Sequence, residues 1–292
     1  MSEEYIHVPV LKEEVISHLN ITPNGTYLDG TIGLGGHSST IISQLSNQGH
    51  LIGIDKDDEA LEICKKALPS TKTKVSLFKD SYHNINSILL KCGVDMVNGI
   101  ILDLGLSSLQ LDSKNRGFSY LTDSRLDMRF NQSQRIQAKN VLNELSEGDL
   151  ADVIYFNGEE RRSRKIAKNI VKMRPINSVF KLVESIKKSS PPYGRHKTLA
   201  RVFQAIRIEV NNELDILDEF LSSFYKKLLK GGRIAIISFH SLEDRRVKRS
   251  FKTLKSENLI KIISKKPITP SFKEVENNSR SRSAKLRVAE RI

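Results

Sequence analysis

Short apolar runs alternate with helical patterns along the first hundred residues, and this is the clearest pattern in the chain. Each run is followed by a stretch in which apolar residues recur every three or four positions, as on one face of a helix. The runs are Thr26–Asp29, Leu51–Asp55, Lys74–Phe78 and Val97–Gly105. Strands that alternate with helices predict βαβ units and a mostly parallel sheet covered on both faces. We therefore expect an α/β fold.

The alternation stops after Gly105, and residues 109–205 contain several helical patterns but few strand patterns. A single long helix is expected from near Lys197 to the Gly231-Gly232 pair. Three segments follow from this reading. Residues 1–108 form the first part of a core, 109–205 an inserted helical domain for substrate recognition, and 206–292 the second part of the core.

The last segment supplies the remaining strands. Arg233–Phe239 reads as a fifth buried strand, and LRVAERI at the C-terminus as a final edge strand. Between them lies KKPITPSFKEVENNSRSRSAK, which is basic and contains two prolines. We expect this basic C-terminal arm to be extended and to become ordered on a partner.

Four glycines fall within the segment YLDGTIGLGGHSS, at positions 30, 33, 35 and 36. A strand that ends in Asp29, followed by glycines and a helix, offers backbone N–H groups and a helix N-terminus to a ligand. Tight packing alone is the alternative explanation, but four glycines so close together favour a ligand.

The residues around this loop narrow the choice of ligand. Asp55 ends the second strand, where a carboxylate accepts hydrogen bonds from both hydroxyls of a ribose. Ser38 stands where the dinucleotide-binding fingerprint has its third glycine, and the lysine of a phosphate-binding loop is missing. The spacing leaves NAD and S-adenosylmethionine (SAM) open. Asp103 ends the fourth strand beside the loop, either as a ligand-binding carboxylate or as a structural cap.

The net charge of +13 and the pI of about 9.6 point to a polyanionic partner, above all a nucleic acid. The densest acid-free cluster is RRSRKIAKNIVKMR, where a solvated helix face is the alternative. Contact with phosphates is the preferred interpretation, and the candidate RNA-binding residues are Arg161, Arg162, Arg164, Lys165 and Lys168.

Other features exclude several classes of protein. Cys64 and Cys92 are too few and too isolated for a disulfide framework or a cysteine zinc site, so no metal is expected. No apolar run is long enough to span a bilayer, and the N-terminus lacks the features of a secretory signal. We therefore expect a cytoplasmic enzyme that does not associate with membranes.

Seven motifs in order give the chain a resemblance to a known family. They are HVPVL, DGTIGLGGHS, DLGLSSLQLD, RGFSY, LDMR, FQAIRIEVNNEL and ISFHSLEDRRVK. Together they resemble the SAM-dependent methyltransferases that modify the N4 amine of a decoding-site cytosine in 16S ribosomal RNA. The resemblance implies a Rossmann-like core with a helical insert, SAM as the cofactor, and 16S rRNA or the small ribosomal subunit as the partner.

The resemblance also implies roles for individual residues. In the family, the loop residues that correspond to Gly35, Gly36 and His37 lie under SAM. Asp55 corresponds to the residue that binds the ribose, and Tyr82 to the aromatic residue beside the adenine. Asp103 and Gln110 complete the contacts with the cofactor. The chain lacks the Pro-Pro-Tyr motif of many amino-methyltransferases after its fourth strand, so that motif does not identify the proton acceptor. Asp103 is the candidate, and His240 is its rival.

Three alternatives stay open at this level. The chain is a SAM-dependent methyltransferase of another RNA or of a protein, a non-catalytic RNA-binding assembly factor with a vestigial SAM pocket, or an NAD-dependent oxidoreductase. The sequence also leaves the oligomeric state open, with a homodimer among the options.

Overall fold

The structure is a computed structural model that describes residues 9–292, so the start of the HVPVL motif lies outside it. It divides into two compact units. The first comprises Met1–Gly105, of which residues 9–105 are described, together with Asp215–Ile292, and the second comprises Leu106–Leu214. The boundaries predicted from the sequence lie after residues 108 and 205. The role of the second unit in substrate recognition stays a prediction.

The first unit is an α/β domain. Its elements in chain order are α1 (Lys12–Leu19), β1 (Thr26–Asp29), α2 (Gly36–Gln44), β2 (His50–Asp55), α3 (Asp58–Ala67), β3 (Lys74–Lys79), α4 (Ile85–Lys91), β4 (Val97–Asp103), then α11 (Glu213–Ser223), which begins at the end of the second unit, β5 (Leu228–Ser238), α12 (Ser241–Ser256), β6 (Ile260–Ile262), α13 (Phe272–Asn277) and β7 (Lys285–Arg291).

One seven-stranded sheet organises this unit, in the order β3-β2-β1-β4-β5-β7-β6. The five strands from β3 to β5 are parallel, and β7 runs antiparallel to both β5 and β6. The predicted α/β class with a mostly parallel sheet is confirmed. Because β1, β2 and β4 are neighbours and parallel, their carboxyl ends meet at one edge of the sheet, and there the residues are Asp29, Asp55 and Asp103.

Two apolar clusters form because side chains alternate between the two sides of a strand. Leu28 belongs to one cluster and its neighbour Tyr27 to the other, and Ile100 and Ile101 divide in the same way. Burial on both faces explains why these strands are continuous apolar runs rather than alternating ones.

The second unit is helical, and residues 106–214 contain no strand apart from one isolated bridge between Arg125 and Ser178. It has its own apolar core, to which α8 contributes Ile166, Ala167 and Ile170. Its helices are α5 (Ser108–Asp112), α6 (Ala138–Glu144), α7 (Glu147–Gly158), α8 (Ser163–Lys172), α9 (Val179–Lys187) and α10 (Arg195–Asn211).

The expectation of one long helix that ends at Gly231-Gly232 is wrong. Helix α10 ends at Asn211, because Asn212 adopts a left-handed conformation with φ of 50°. A second helix, α11, follows, and the glycine pair lies inside β5, where the pairing with β4 shifts register. Gly231 has φ of 77°, a conformation that glycine adopts without penalty.

The C-terminal segment also differs from expectation. β7 is a strand, but it is not the edge of the sheet, because β6 pairs with its outer side. The arm before β7 is folded rather than extended. It contains α13, whose Glu274 Oε1 accepts a hydrogen bond from the backbone N–H of Leu11 at 2.7 Å, and Ile268 bridges to Leu286.

Within residues 9–292, no helix has both the length and the apolar character needed to cross a membrane.

Candidate functional site

The loop between β1 and α2 is held against the ends of two neighbouring strands. The N–H of Gly30 donates to the carbonyl of Ile101 in β4 at 3.0 Å. The N–H of Ile32 donates to the carbonyl of Ile54 in β2 at 2.9 Å. These contacts fix the loop at the carboxyl edge of the sheet, where open α/β sheets bind ligands.

The glycines of this loop have different reasons to be glycine. Gly33 and Gly35 have φ of 52° and 85°, in the left-handed region that favours glycine. A Cβ on Gly30 would come within 2.4 Å of the Cδ2 of Leu102, so Gly30 is explained by packing. The ligand interpretation therefore depends on the later glycines of the loop, which precede and begin α2.

Asp55 is oriented by backbone N–H groups on both sides. Its Oδ2 accepts from Gly33 at 2.8 Å, and its Oδ1 accepts from Asp57 at 2.9 Å. Each carboxylate oxygen has a further lone pair, so the side chain can still accept two hydroxyl donors. Desolvation raises the pKa of Asp55 to about 6.

Asp29 and Ser38 have a structural role that the sequence pattern does not predict. Asp29 is buried, and its carboxylate accepts from the Ser38 hydroxyl at 2.7 Å and from the N–H of Thr31 at 3.2 Å. Burial raises the pKa of Asp29 to about 6. Ser38 thus fastens the first turn of α2 to the end of β1. The sequence indicates this role only in that a serine stands where the dinucleotide-binding fingerprint has its third glycine.

Asp103 and His37 face each other at the same edge. The backbone N–H of Asp103 donates to the Thr31 hydroxyl at 2.6 Å, which fixes the end of β4 beside the loop. The His37 Nε2 lies 3.6 Å from the Asp103 Oδ2. Within the described residues, neither ring nitrogen of His37 nor the Oδ1 of Asp103 has a hydrogen-bond partner, although all three atoms are buried.

Such unsatisfied groups are rare in folded proteins because each one costs stability. Buried polar atoms without partners, beside a glycine loop at the carboxyl edge of the sheet, are typical of a ligand site. The structure thus brings together Gly35, His37, Asp55 and Asp103 from the predicted set.

Tyr82 lies in a short 3-10 helix after β3 and is 9% exposed. Its ring packs edge-to-face against Phe220, with the ring centroids 5.3 Å apart. A Cβ on Gly30 would lie 2.9 Å from the Cβ of Tyr82, so Tyr82 is close to the loop. The expected contact with adenine stays a prediction.

Gln110 belongs to the second unit, where it forms a capping box at the start of α5. The Ser107 hydroxyl accepts from the N–H of Gln110 at 3.2 Å, and the Oε1 of Gln110 accepts from the N–H of Ser107 at 3.1 Å. Its predicted contact with the cofactor is not tested by these bonds.

His240 is the N-cap of α12. Its Nδ1 accepts from the N–H of Glu243 at 3.4 Å, while Glu243 Oε2 accepts from the N–H groups of Phe239 and His240. With Nδ1 as acceptor, Nε2 carries the proton, and it lies 3.1 Å from the Glu243 Oε1. The capping box thus uses Nδ1 alone, and Nε2 is buried without a hydrogen-bond partner among the described residues.

The candidate RNA-binding cations are all exposed, and α8 carries most of them on the face opposite its buried residues. Within residues 9–292, none of these side chains forms an ion pair or a hydrogen bond; they are Arg161, Arg162, Arg164, Lys165 and Lys168. Their charge is therefore not neutralised by the protein itself. In the same residues, no group of His, Cys, Asp and Glu is arranged to hold a metal ion.

Residues 4–292 match the MraW methylase family. The chain belongs to this family. It is 45% identical to a protein named ribosomal RNA small subunit methyltransferase H from Fusobacterium nucleatum, over 98% of this chain and 97% of that protein. A protein of the same name from Thermosipho africanus is 47% identical, over 98% of both chains. A solved structure of a candidate rRNA-methylase from Clostridium thermocellum, 13% identical, has a TM-score of 0.50 over 98% of this chain and 100% of that chain, which shows the shared fold alone.

As a member of the MraW methylase family, the chain is a methyltransferase and SAM is its cofactor, as the sequence predicts. The residues present fit this group. A Cβ on Gly33 would meet no atom closer than 3.8 Å, so the loop is open at this residue. Asp55 retains two further lone pairs for a ribose, and the Asp103 Oδ1 has no hydrogen-bond partner among the described residues.

The affinity for SAM is expected to depend on pH through Asp55. Only the ionised carboxylate accepts two hydroxyls, and its pKa is about 6. The dissociation constant should therefore rise about tenfold per pH unit below about pH 6 and stay constant above it. Calorimetric titrations across this range measure the profile.

The control for this profile is Asp55→Asn, which removes the titrating carboxylate and should bind weakly with no slope. A slope that persists in Asp55→Asn would assign the titration to Asp29 instead.

The stability of the free protein should change with pH in the opposite direction to the SAM affinity, falling as the pH rises. Both folded-state pKa values exceed the ordinary 3.8, so these groups favour folding fully below pH 3.8, and that contribution is lost as the pH rises through about 6.

Proposed function

We propose that the protein transfers the methyl group of SAM to the exocyclic N4 amine of a decoding-site cytosine in 16S rRNA. The names of its relatives support the small-subunit rRNA as the substrate. The observation that carries the proposal is the pair Asp103 and His37 beside the glycine loop, where the Oδ1 of Asp103 and both ring nitrogens of His37 are buried without hydrogen-bond partners among the described residues. The cytosine N4 atom and the decoding-site position come from the family resemblance of the seven motifs.

The residues that would hold SAM are those of the glycine loop, with Asp55 at the ribose and Tyr82 at the adenine. When bound, SAM supplies an electrophilic methyl group on a positively charged sulfur. The task left to the protein is mainly to orient the amine and to exclude other geometries, since transfer is an in-line displacement.

The amine that gains the methyl group must lose one proton. The lone pair of the cytosine amine is delocalised into the ring, so an acceptor that orients the N–H assists the attack. The Asp103 Oδ1 is buried and has no partner among the described residues, and we assign the proton to this atom. His240 is less suited, because its Nδ1 accepts the N–H of Glu243 in the capping box of α12, and the proton that Nε2 then carries leaves no ring lone pair for the amine proton.

The substrate base has to leave its stack before its amine reaches a buried carboxylate, as in other enzymes that modify bases. RNA in unpaired regions is recognised by stacking and by contacts to phosphates. The cations within α8 and just before its start, here called the α8 cluster, supply the phosphate contacts in this proposal; they are Arg161, Arg162, Arg164, Lys165 and Lys168. The cytoplasm, where the small subunit is assembled in a bacterial cell, is the location that this substrate implies.

Replacing Arg161, Arg162 and Arg164 together by alanine is expected to weaken RNA binding while the SAM affinity stays at the wild-type value. Each lost phosphate contact on a single strand reduces the slope of log K against log salt by about 0.7, so the slope should fall by roughly 2. Binding of a labelled rRNA fragment across a salt series measures both quantities.

The matched control replaces three exposed lysines of the first unit, Lys65, Lys66 and Lys72. This control has the same change in net charge and should keep the slope. A triple-arginine variant with an unchanged slope and affinity would show that the α8 cluster is only a solvated helix face.

Methyl transfer from labelled SAM to small ribosomal subunits tests the proposed reaction directly. Subunits from cells that lack this protein should accept one methyl group, and subunits from wild-type cells should accept none. Mass spectrometry of the nucleosides should identify N4-methylation of a single cytosine. Methylation of another atom, or transfer to a protein or another RNA only, would overturn the proposed substrate while the methyltransferase assignment stands.

A further inference from the structure

A depression on the second unit lies where the turn after α9 meets α8. Three of its lining residues carry a positive charge and none is acidic; the lining is Arg162, Lys165, Lys188, Ser189, Ser190 and Pro191. The cations come from both sides of the depression, so an anion placed there would contact more than one of them. A phosphate group is such an anion, because its oxygens accept charge-assisted hydrogen bonds from several cations at once.

The two sides of the depression are fastened to each other. The Ser189 hydroxyl donates to the carbonyl of Lys165 at 3.1 Å and accepts from the Asn169 Nδ2 at 2.6 Å. The Arg195 Nη2 donates to the carbonyl of Ser190 at 2.9 Å, which ties the start of α10 to the same turn. The lining is therefore set before any ligand binds.

Among residues 9–292, Lys188 is the lining cation whose side chain forms an ion pair, since its Nζ lies 3.0 Å from the Glu184 Oε1. Both side chains are more than half exposed, and an exposed pair of this kind is weak and is screened by salt. A doubly contacted phosphate can compete with it, so Lys188 is available to a polyanion.

An aromatic ring stands next to the depression along the chain. Tyr193 is 96% exposed, two residues after Pro191, in a turn that Gly194 closes with φ of 74°. The residues that follow, Arg195, His196 and Lys197, are basic or titratable. A ring that offers its face to solvent among cations is the arrangement that stacks an unpaired base.

We propose that this depression and Tyr193 form a binding site for single-stranded RNA, in which Arg162, Lys165 and Lys188 hold phosphates and Tyr193 stacks a base. The inference rests on the proposed function, because it assigns a second contact to the same rRNA substrate. RNA is favoured over a protein partner because the lining has no acid and no large apolar side chain. The site extends the α8 cluster by one aromatic ring and by the cation of α9.

Fluorescence anisotropy with a labelled oligouridylate of about 16 nucleotides tests the site on the full-length protein. Tyr193→Ala should weaken binding by about 5-fold to 150-fold with no change in the salt slope, as expected for loss of one stacked base. Tyr193→Phe keeps the aromatic face and should bind within about twofold of the wild type. Lys188→Ala should reduce the salt slope by about 0.7.

The matched control is Phe156→Ala, which removes another exposed aromatic ring from the second unit, 64% exposed on α7. It should leave the RNA affinity unchanged. Equal losses in Phe156→Ala and Tyr193→Ala would overturn the inference, as would wild-type affinity in Tyr193→Ala.

The same preparations are assayed for methyl transfer to small subunits, which separates the two proposals. Normal transfer by the wild type with full RNA affinity in Tyr193→Ala overturns the RNA site alone. Weaker RNA binding in Tyr193→Ala, together with no transfer to any rRNA by the wild type, supports the site and overturns the proposed reaction.

Discussion

Replacing Asp55 by alanine is expected to weaken SAM binding by at least about 100-fold, since two charge-assisted hydrogen bonds are lost at about 1.5–3 kcal/mol each. The structure adds a second cause. Asp55 also accepts the N–H groups of Gly33 and Asp57, so its removal leaves two loop donors without their acceptor. Isothermal titration calorimetry of the free protein with SAM measures the change.

Two further variants separate these causes. Asp55→Asn keeps the size of the side chain but has only one acceptor oxygen, so its amide nitrogen faces either the Gly33 or the Asp57 donor. It should bind SAM almost as weakly as the alanine variant. Asp58→Ala removes an exposed carboxylate at the start of α3, where Asp58 pairs with Lys79. This variant should leave the SAM affinity unchanged.

RNA affinity and its salt dependence should stay at wild-type values in Asp55→Ala, because the α8 cations are untouched. Wild-type SAM affinity in this variant would show that the ribose assignment is wrong. A loss of RNA binding that accompanies the loss of SAM would mean that the variant is misfolded, which urea unfolding detects as a lower midpoint.

Strands β1, β2, β4 and the second half of β5 could be predicted because burial on both faces makes them continuous apolar runs. These runs also predict that three carboxylates lie at strand ends, since the end of an apolar run marks the carboxyl end of its strand. The position of Asp29, Asp55 and Asp103 at the carboxyl edge of the sheet can therefore be predicted, because the carboxyl ends of neighbouring parallel strands lie at one edge.

Other features depend on contacts that the sequence pattern does not carry. The left-handed Asn212 divides two helices whose apolar patterns run on without interruption, so periodicity alone joins them. Strand β6, Ile260–Ile262, is too short to produce an alternating pattern. The hydrogen bond between Ser38 and Asp29 links two elements through side chains, and only the fold brings them together.

The assignment of the proton acceptor is decided by comparing Asp103 with His240. Asp103→Asn keeps the shape of the side chain and one acceptor oxygen but removes the negative charge. We expect the turnover number for methyl transfer to fall by about 100-fold to 10,000-fold, the range for loss of a general base. The SAM affinity should fall by no more than about tenfold, because a single interaction with a charged group is weakened.

The matched variant is His240→Asn, because asparagine is also a favoured N-cap and preserves the start of α12 while it removes the imidazole. Its turnover number should stay within about tenfold of the wild type if His240 serves only the capping box, since loss of a general base costs more than that. His240→Ala should instead lower the free energy of unfolding by about 1 kcal/mol through loss of the cap. Single-turnover transfer at saturating SAM gives the chemical step for all three variants.

The two residues cannot both be the acceptor, so the pair of results is decisive. A large loss in Asp103→Asn with a small one in His240→Asn assigns the proton to Asp103. The opposite pattern, in a His240→Asn variant that unfolds like the wild type, assigns it to the imidazole and leaves Asp103 as a cofactor contact. In that case a contact with SAM, rather than with the amine, would explain why the Asp103 Oδ1 is buried without a partner among residues 9–292.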